Sequence, residues 1–541
     1  MVSRFFLIHY SKSHIDMAKS QFYLFLLFLI PNLSSAQSDF KMLNSNNINA
    51  FIGNTGTLFY NTYSFSAGYE VPKGTGLHCM FGAQLVFAGK NSQGNLFMAS
   101  GDFNHGLQDF FPGPVSTPGA FNTPQYQADW GNSIWSICHS DIQQFILWWG
   151  CENGTITSGC GSATPPSAEA MQAINSWPAH GNTSMGQAQY LAPFVDYNSD
   201  GVYNPNDGDY PCIKGSCAIY LIHNDNAGNH TQTPTPPIGI EVHTMVYQYK
   251  TNTFLDNLTF FDVMAINRST TNYPQFVQSV MFQGDKGNAS DDLVWSDSAS
   301  STLLFYNAYA NDDMVGSSVG YGFTPPALSI VGLDRPFTSI IPNMSLYTDT
   351  QRWNVLNGLL SDGSSLTKQN GAPTAFLGSV NLIDNSGIGF DRAAFASNTS
   401  IGFNSGDTVR QSYAVVYQRS NDNISSAFAA AGLSTSVQQF YDQIAQFPCN
   451  APFMSDETAS NPTISLNVYP NPSNGIFHVS AHQLDITSLS VFNVMGQRIF
   501  QQKTFPMNST FSIDIQNQVR GMYLMEIQTT SGAVRQKIFV E

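Results

Sequence analysis

The sequence predicts a mainly β protein: a large β-rich body with long loops and one C-terminal helix, followed by a small antiparallel β-sandwich. Three observations predict it. Short alternating stretches rich in Val, Ile, Tyr, Phe and Thr recur between clusters of Gly, Asn, Asp and Pro, which is the pattern of strands and turns. Charged residues make up only 11% of the 541, under half the usual ~25%. The surface must therefore be covered by Asn, Ser, Thr, Gln and Gly, a chemistry suited to an extracellular β protein. Apolar residues at 42% and aromatic residues at 13% supply a large core. The net charge of −16 repels phosphate and argues against a nucleic-acid partner. It suits divalent cations, and plain solubility equally.

At the N-terminus, Phe22–Ile30 is an unbroken apolar run of nine residues with Lys19 before it and Ser34-x-Ala36 after it. A membrane-spanning helix needs about 20 apolar residues, so this run reads as a signal peptide, residues 1–36, cut after Ala36. Met17 is an alternative start. No other stretch is long and apolar enough to span a membrane, so the mature chain is expected to carry no transmembrane segment.

The body, residues 37–449, alternates at Gly82–Gly89, Gly239–Lys250, Leu258–Ser269, Phe276–Gly284 and Arg410–Ser420. Its clear helix is 423–446, where Val437, Phe440, Tyr441 and Ile444 fall on one face. Gly432-Leu433-Ser434 is expected to kink or split it, and Ala168–Trp177 is a second candidate helix. Seven cysteines suit an oxidising compartment. Cys151/Cys160 and Cys212/Cys217 are near enough to staple local loops; Cys79, Cys138 and Cys449 remain, so at least one thiol is left over.

Residues 450–465 carry no periodicity and read as a linker. From 466 to 541 come "YPNPSNG", "GIFHVS", "LSVFNVMGQRIF", "FSIDI", "RGMYLMEIQT" and "VRQKIFVE". These are five or six short strands with Gly475, Gly496, Gly521 and Gly532 at the corners, the signature of a small Ig-like antiparallel sandwich. The ordered set "YPNPSNG", "VFNVMGQRIF", "GMYLMEI" and "KIFV" closely resembles the type A C-terminal sorting domain of the Bacteroidetes type IX secretion system. The resemblance covers Leu466–Glu541. It implies export across the outer membrane, with the type IX machinery and its sortase as partners, removal of the module and anchoring of the body at the outer cell surface or its release. Segments 47–61, 69–89, 108–115 and 238–249 are similar to a family of large secreted proteins of uncharacterised function that carry this tail. That resemblance brings no activity with it.

The best chemical motif in the body is "DYNSDGVYNPNDGDYP", Asp196–Pro211. Oxygen-bearing side chains at Asp196, Asn198 and Asp200, Gly201 at the sixth position, the Val202 carbonyl at the seventh and Asp207 at the twelfth reproduce a calcium-loop spacing. Ca²⁺ takes six to eight oxygens at about 2.3–2.6 Å. Asp209 rivals Asp207 as the closing carboxylate, because Pro205 reshapes the second half of the loop at 196–209. A structural Ca²⁺ is the expected cofactor. Asp285, Asp291, Asp292 and Asp297 form a weaker acidic cluster whose spacing fits no defined loop, so a solvated acidic loop is expected there ahead of a second calcium site.

Glu241 and His243 share a strand face, with His223 and His230 upstream. Without H-E-x-x-H spacing their expected role is structural hydrogen bonding. No G-x-S-x-G elbow, P-loop or dinucleotide glycine pattern occurs. Trp130, Trp135, Trp148 and Trp149 cluster, with core burial expected ahead of ligand stacking. The expected function is thus a non-enzymatic, calcium-stabilised adhesion or ligand-binding protein with a surface glycan or a protein as ligand. The alternative is a secreted hydrolase of polysaccharide or protein whose site residues meet only in the fold.

Overall fold

The structure is a computed structural model. It describes residues 40–445 apart from 102, 104–106, 314–318, 343–347, 369–371 and 377–392, and residues 466–540 apart from 470, 472, 482–485, 494–497, 504–509 and 530–531. The signal peptide 1–36, the linker 450–465 and Cys449 lie outside the described residues. The chain forms two compact units, a body and a C-terminal module.

Two antiparallel sheets face each other in the body. One runs Ser339–Pro342, Ala393–Phe403, Tyr273–Gln283, Gly82–Lys90, Thr57–Leu58, Asn49–Gly53, Tyr69–Glu70, His78–Met80. The other runs Phe111–Pro112, Cys217–Asn224, Ile240–Gln248, Leu258–Asn267, Thr408–Gln418, Ala327–Gly332, Thr302–Asn307, Asp292–Asp297, with Trp135–Cys138 also paired to Cys217–Asn224. All five strands read from alternation are present, within three residues at each end. Period-2 patterning sends Phe276, Val280 and Phe282 of the first sheet, and Val242, Val246, Phe261, Val263 and Tyr413 of the second, into one shared core. Rings meet across it, Phe59 edge-on to Phe261 at 5.8 Å and Phe261 against Phe282 at 6.3 Å.

The outer faces are covered as well, which is why Ile240–Gln248 is buried along its whole length. Helix Asp349–Leu356 contributes Val355 and Leu356 to a cluster behind the first sheet with Val86, Val277 and Met281. Behind the second sheet, helix Asn423–Gly432 sets Ala427 and Ala430 against Leu304 and Tyr306. The predicted 423–446 helix is split after Gly432, and Ser434–Ala445 follows as a separate helix. In it, Phe440 stands edge-on to Tyr249 at 4.9 Å and the Tyr441 hydroxyl donates to Ser412 Oγ at 2.7 Å. The candidate helix at 168 runs Ala168–Asn175, N-capped by Ser167. Helices Pro124–Trp130 and His139–Glu152 add to those read from sequence.

The disulfides correct one expectation. Cys151–Cys160 forms, but Cys217 bonds Cys138, its direct cross-strand neighbour, rather than Cys212. Strand register, not sequence proximity, decides the pairing. Cys212 is disulfide-bonded too. Cys79 is a buried free thiol in the core, where burial pushes it up to about 12 and leaves it unreactive.

The C-terminal module is an antiparallel sandwich of a three-stranded sheet (Leu466–Tyr469, Ile476–Ala481, Thr510–Asp514) and a four-stranded one (Arg498–Gln502, Ile486–Asn493, Gly521–Thr529, Gly532–Val540). Val468, Phe477, Val479 and Ile513 of the first meet Leu489, Val491, Met525, Ile527 and Ile538 of the second.

Candidate functional site

The Asp196–Asp209 loop joins the two strands of a small hairpin, with Phe194 opposite Pro211 and Val195 opposite Tyr210. Its first half coils around the acidic side chains. Asp196 accepts from the backbone N–H of Asp200 at 3.2 Å and of Gly201 at 2.8 Å, and Asp200 accepts from Val202 at 2.8 Å. Asn198 Oδ1 also accepts from Asp200, at 3.1 Å, and its amide donates to Asp200 Oδ2 at 3.0 Å. Gly201 sits at φ 78°, a left-handed conformation that glycine adopts without cost. Asn198, Asp200 and Val202 are exposed, while Asp196 and Asp207 are half-buried.

The second half is built differently. Pro205–Asp207 forms a short 3₁₀ turn, and the Asn204 amide donates to Asp207 Oδ2 at 2.6 Å. Asp209 is fully buried and accepts from Tyr197 N–H and Asn204 N–H, each at 2.8 Å. It fastens the two halves together. Among the described residues, no three His, Cys, Asp or Glu side chains converge as placed on one point that could hold a metal.

Aromatic rings flank this loop. Trp149 donates to the Asn206 carbonyl at 2.9 Å and stands edge-on to Tyr197 at 5.0 Å. Tyr197 and Tyr190 are exposed, and a Cβ on Gly201 would come within 3.2 Å of the Tyr190 hydroxyl. Tyr190 leans on His180 at 5.3 Å. His180 Nε2 accepts from the Tyr203 N–H at 2.8 Å, so Nδ1 carries the proton and donates to the Gln189 carbonyl at 2.9 Å. Of the clustered tryptophans, Trp130 and Trp135 are buried, as expected, and Trp148 and Trp149 are half-buried.

Glu241 and His243 do share a face, and they bond each other at 3.0 Å. Tyr220 bonds His243 Nδ1 at 2.7 Å, Arg268 grips Glu241 Oε1 through Nη2 at 2.6 Å and Nε at 3.1 Å, and Val115 N–H reaches Oε2 at 2.9 Å. Burial works to raise the Glu241 carboxyl, but His243 and Arg268 outweigh it and hold it below the usual range. A buried carboxylate is thus balanced by a guanidinium, and the network ties the 115 segment and Arg268 to the strand. Neither His223 nor His230 joins it. His223 points into the inter-sheet core, edge-on to Phe110 at 4.9 Å. His230 lies between Asp109 at 3.9 Å and Asp225 at 3.7 Å.

The second acidic cluster is not a solvated loop. Asp291 and Asp292 are buried, and Asp292 Oδ1 pairs with the equally buried ammonium of Lys286 at 2.7 Å. The strand pairing of Asp292 with Asn307 draws them inside. Asp285 and Asp297 are half-buried, and Asp297 caps a turn by accepting from Ala299 and Ser300.

In the C-terminal module, hydrogen bonds join motifs that are far apart in sequence. Ser473 N–H donates to the Phe539 carbonyl at 2.9 Å and Phe539 N–H donates to Asn471 Oδ1 at 2.9 Å, linking "YPNPSNG" to "KIFV". Ser473 Oγ also accepts from Gly475 N–H at 3.2 Å. The Gly521–Thr529 strand, which carries "GMYLMEI", lies between Ile486–Asn493 and Gly532–Val540. Residues 467–541 match the family described as secretion system C-terminal sorting domain. The chain is exported by the type IX secretion system. Its destination is the cell surface or the extracellular space, and the module engages the secretion machinery. No helix among the described residues is long and apolar enough to cross a membrane.

No curated protein matches the chain. Among solved structures, a polysaccharide lyase aligns at 6% identity with a TM-score of 0.19, covering 65% of this chain and 36% of that one. The chain thus spans about a third of the lyase's length, and a likeness this weak bears on neither fold nor activity.

Proposed function

We propose that the exported body is a calcium-stabilised adhesion or ligand-binding protein. Asp196, Asn198, Asp200, the Val202 carbonyl and Asp207 are the ligands, and Asp209 is the brace that holds the loop closed. The carrying observation is the Asp196 carboxylate, which gathers the N–H groups of Asp200 and Gly201 and so coils the loop around a set made only of oxygen donors. Hard oxygen donors at this spacing suit Ca²⁺. The ion would neutralise carboxylates that otherwise repel one another at neutral pH. Exposed Tyr190 and Tyr197 beside the loop supply rings on which a surface glycan or a protein side chain can stack. The sorting module is the address, removed by the sortase when the body is anchored or released.

Chelation tests the ion. EDTA is expected to lower the melting temperature of the full chain and Ca²⁺ to restore it, and Asp196→Ala with Asp200→Ala should abolish most of that response. A melting temperature indifferent to EDTA in the native protein would overturn the assignment. Peptide mass spectrometry of surface and medium fractions reads the processing: peptides after about Leu466 should be missing from the mature protein.

A further inference from the structure

Three carboxylates lie buried together at the edge of the second sheet, and one ammonium answers them. Asp292 and Lys286 are fully buried and paired. Asp291 and Asp312 are also buried, at 7% and 1% exposure. Asp312 accepts from Asn288 N–H at 3.0 Å and Tyr321 N–H at 2.7 Å. With the three carboxylates ionised, Lys286 leaves two buried negative charges without a counter-charge. Ions taken out of water are stable only when paired or coordinated.

A second, independent observation points to what is missing. Asn307 is fully buried and its amide donates to Asp291 Oδ2 at 3.1 Å and to the Tyr309 carbonyl at 3.0 Å. That fixes which end of the amide is oxygen. Asn307 Oδ1 and Asp291 Oδ1 are then both buried and both without a hydrogen-bond donor. Two buried oxygens that lack a proton to accept, on side chains joined to each other through the Asn307 amide and beside a net negative charge, are the complement of a cation. A buried water would satisfy the oxygens and leave the charge unanswered.

We propose that Asp291 Oδ1 and Asn307 Oδ1, with Asp312 completing the charge, hold a divalent cation of the Ca²⁺ class at a site separate from the Asp196–Asp209 loop. The donors are all hard oxygens, which excludes a thiolate- or imidazole-preferring metal. Two carboxylates and one amide leave the remaining coordination positions to water and backbone carbonyls.

The test is calorimetric titration of the EDTA-stripped full-length chain with Ca²⁺ alone. The native protein should bind two ions per chain. Asp196→Ala/Asp200→Ala should keep one, and Asp291→Asn should lose one while retaining the native tryptophan emission. If the loop double variant binds no Ca²⁺, the second site is overturned and the loop reading stands. If that double variant still binds one ion but Asp291→Asn removes none, the assignment to Asp291 and Asn307 is overturned. One ion in the double variant with two in the native chain would support the second site even where Asp291→Asn fails to fold.

Discussion

His223 makes the body sensitive to acid in a way that one substitution should remove. The ring is fully buried between the sheets and neither nitrogen has a partner. Burial first, and the neighbouring His243 second, push its pKa from 6.5 down to about 3. A base held neutral in the folded state stabilises fully above its unfolded pKa, and that stability is lost as pH falls from 6.5 toward 3. At about 1.4 kcal/mol per pH unit, acidification to pH 4.5 should withdraw roughly 2–3 kcal/mol. The variant is His223→Leu, which keeps an apolar side chain of similar bulk against Phe110. The assay is urea unfolding at pH 7.5 and pH 4.5, followed by tryptophan emission; the seven tryptophans all precede residue 354, so the signal reports the body. Asp225, which burial raises, acts in the opposite sense, but it is present in both proteins and cancels in the difference. The native chain should lose roughly 2–3 kcal/mol more than the variant between the two pH values. Equal losses would refute the claim that a buried neutral imidazole governs the acid limb.

Two further outcomes follow from cross-links and turns. Cys138→Ser opens a bond between residues 79 apart in sequence, for which the loop-entropy estimate is about 4–5 kcal/mol; a shift in urea midpoint worth under 1 kcal/mol would show that the Cys138–Cys217 ladder holds the edge unaided. Gly475→Ala places a methyl group 2.6 Å from Gln516 Cα at φ 101°, a strain of about 1–2 kcal/mol or more in a small module. It should shift protein from the surface and medium to the periplasm, whereas exposed Asn474→Ala should not. Equal export of the two variants would mean that the geometry of this turn is not read.

Long, strongly alternating strands were legible because a period of two with β-branched residues has few other solutions. Ile240–Gln248 and Leu258–Asn267 are found where the pattern places them. Helix His139–Glu152 was not legible, because its Trp148 and Trp149 read as a ring cluster and hid its helical period; the capping residue Asp141, three positions past Cys138, was the available signal. The coiled first half of the Asp196 loop follows from its D-x-N-x-D-G order, since each acidic side chain bonds N–H groups at most five residues on. The role of Asp209 as a brace does not, because it depends on burial. Arg268, 27 residues from Glu241, and Asn307, 16 from Asp291, are long-range partners that only strand register brings together. For the same reason Cys217 meets Cys138 rather than the nearer Cys212.

The Cys138–Cys217 bond also sets an order of events in time. Its second cysteine is synthesised 249 residues before Leu466 (466 less 217), which at ~5–20 residues per second is roughly 12–50 s. All four cysteines of the two resolved bridges therefore exist well before any strand of the sorting module. The address is synthesised last, and the cross-links of the body form only once the chain has reached an oxidising compartment. A body in which Cys217 took the nearby Cys212 would bear the same terminal strands as one correctly joined, so recognition of the module cannot by itself distinguish the two. Fidelity of the cross-links must be secured by the thiol chemistry of the compartment, before or apart from the choice of destination.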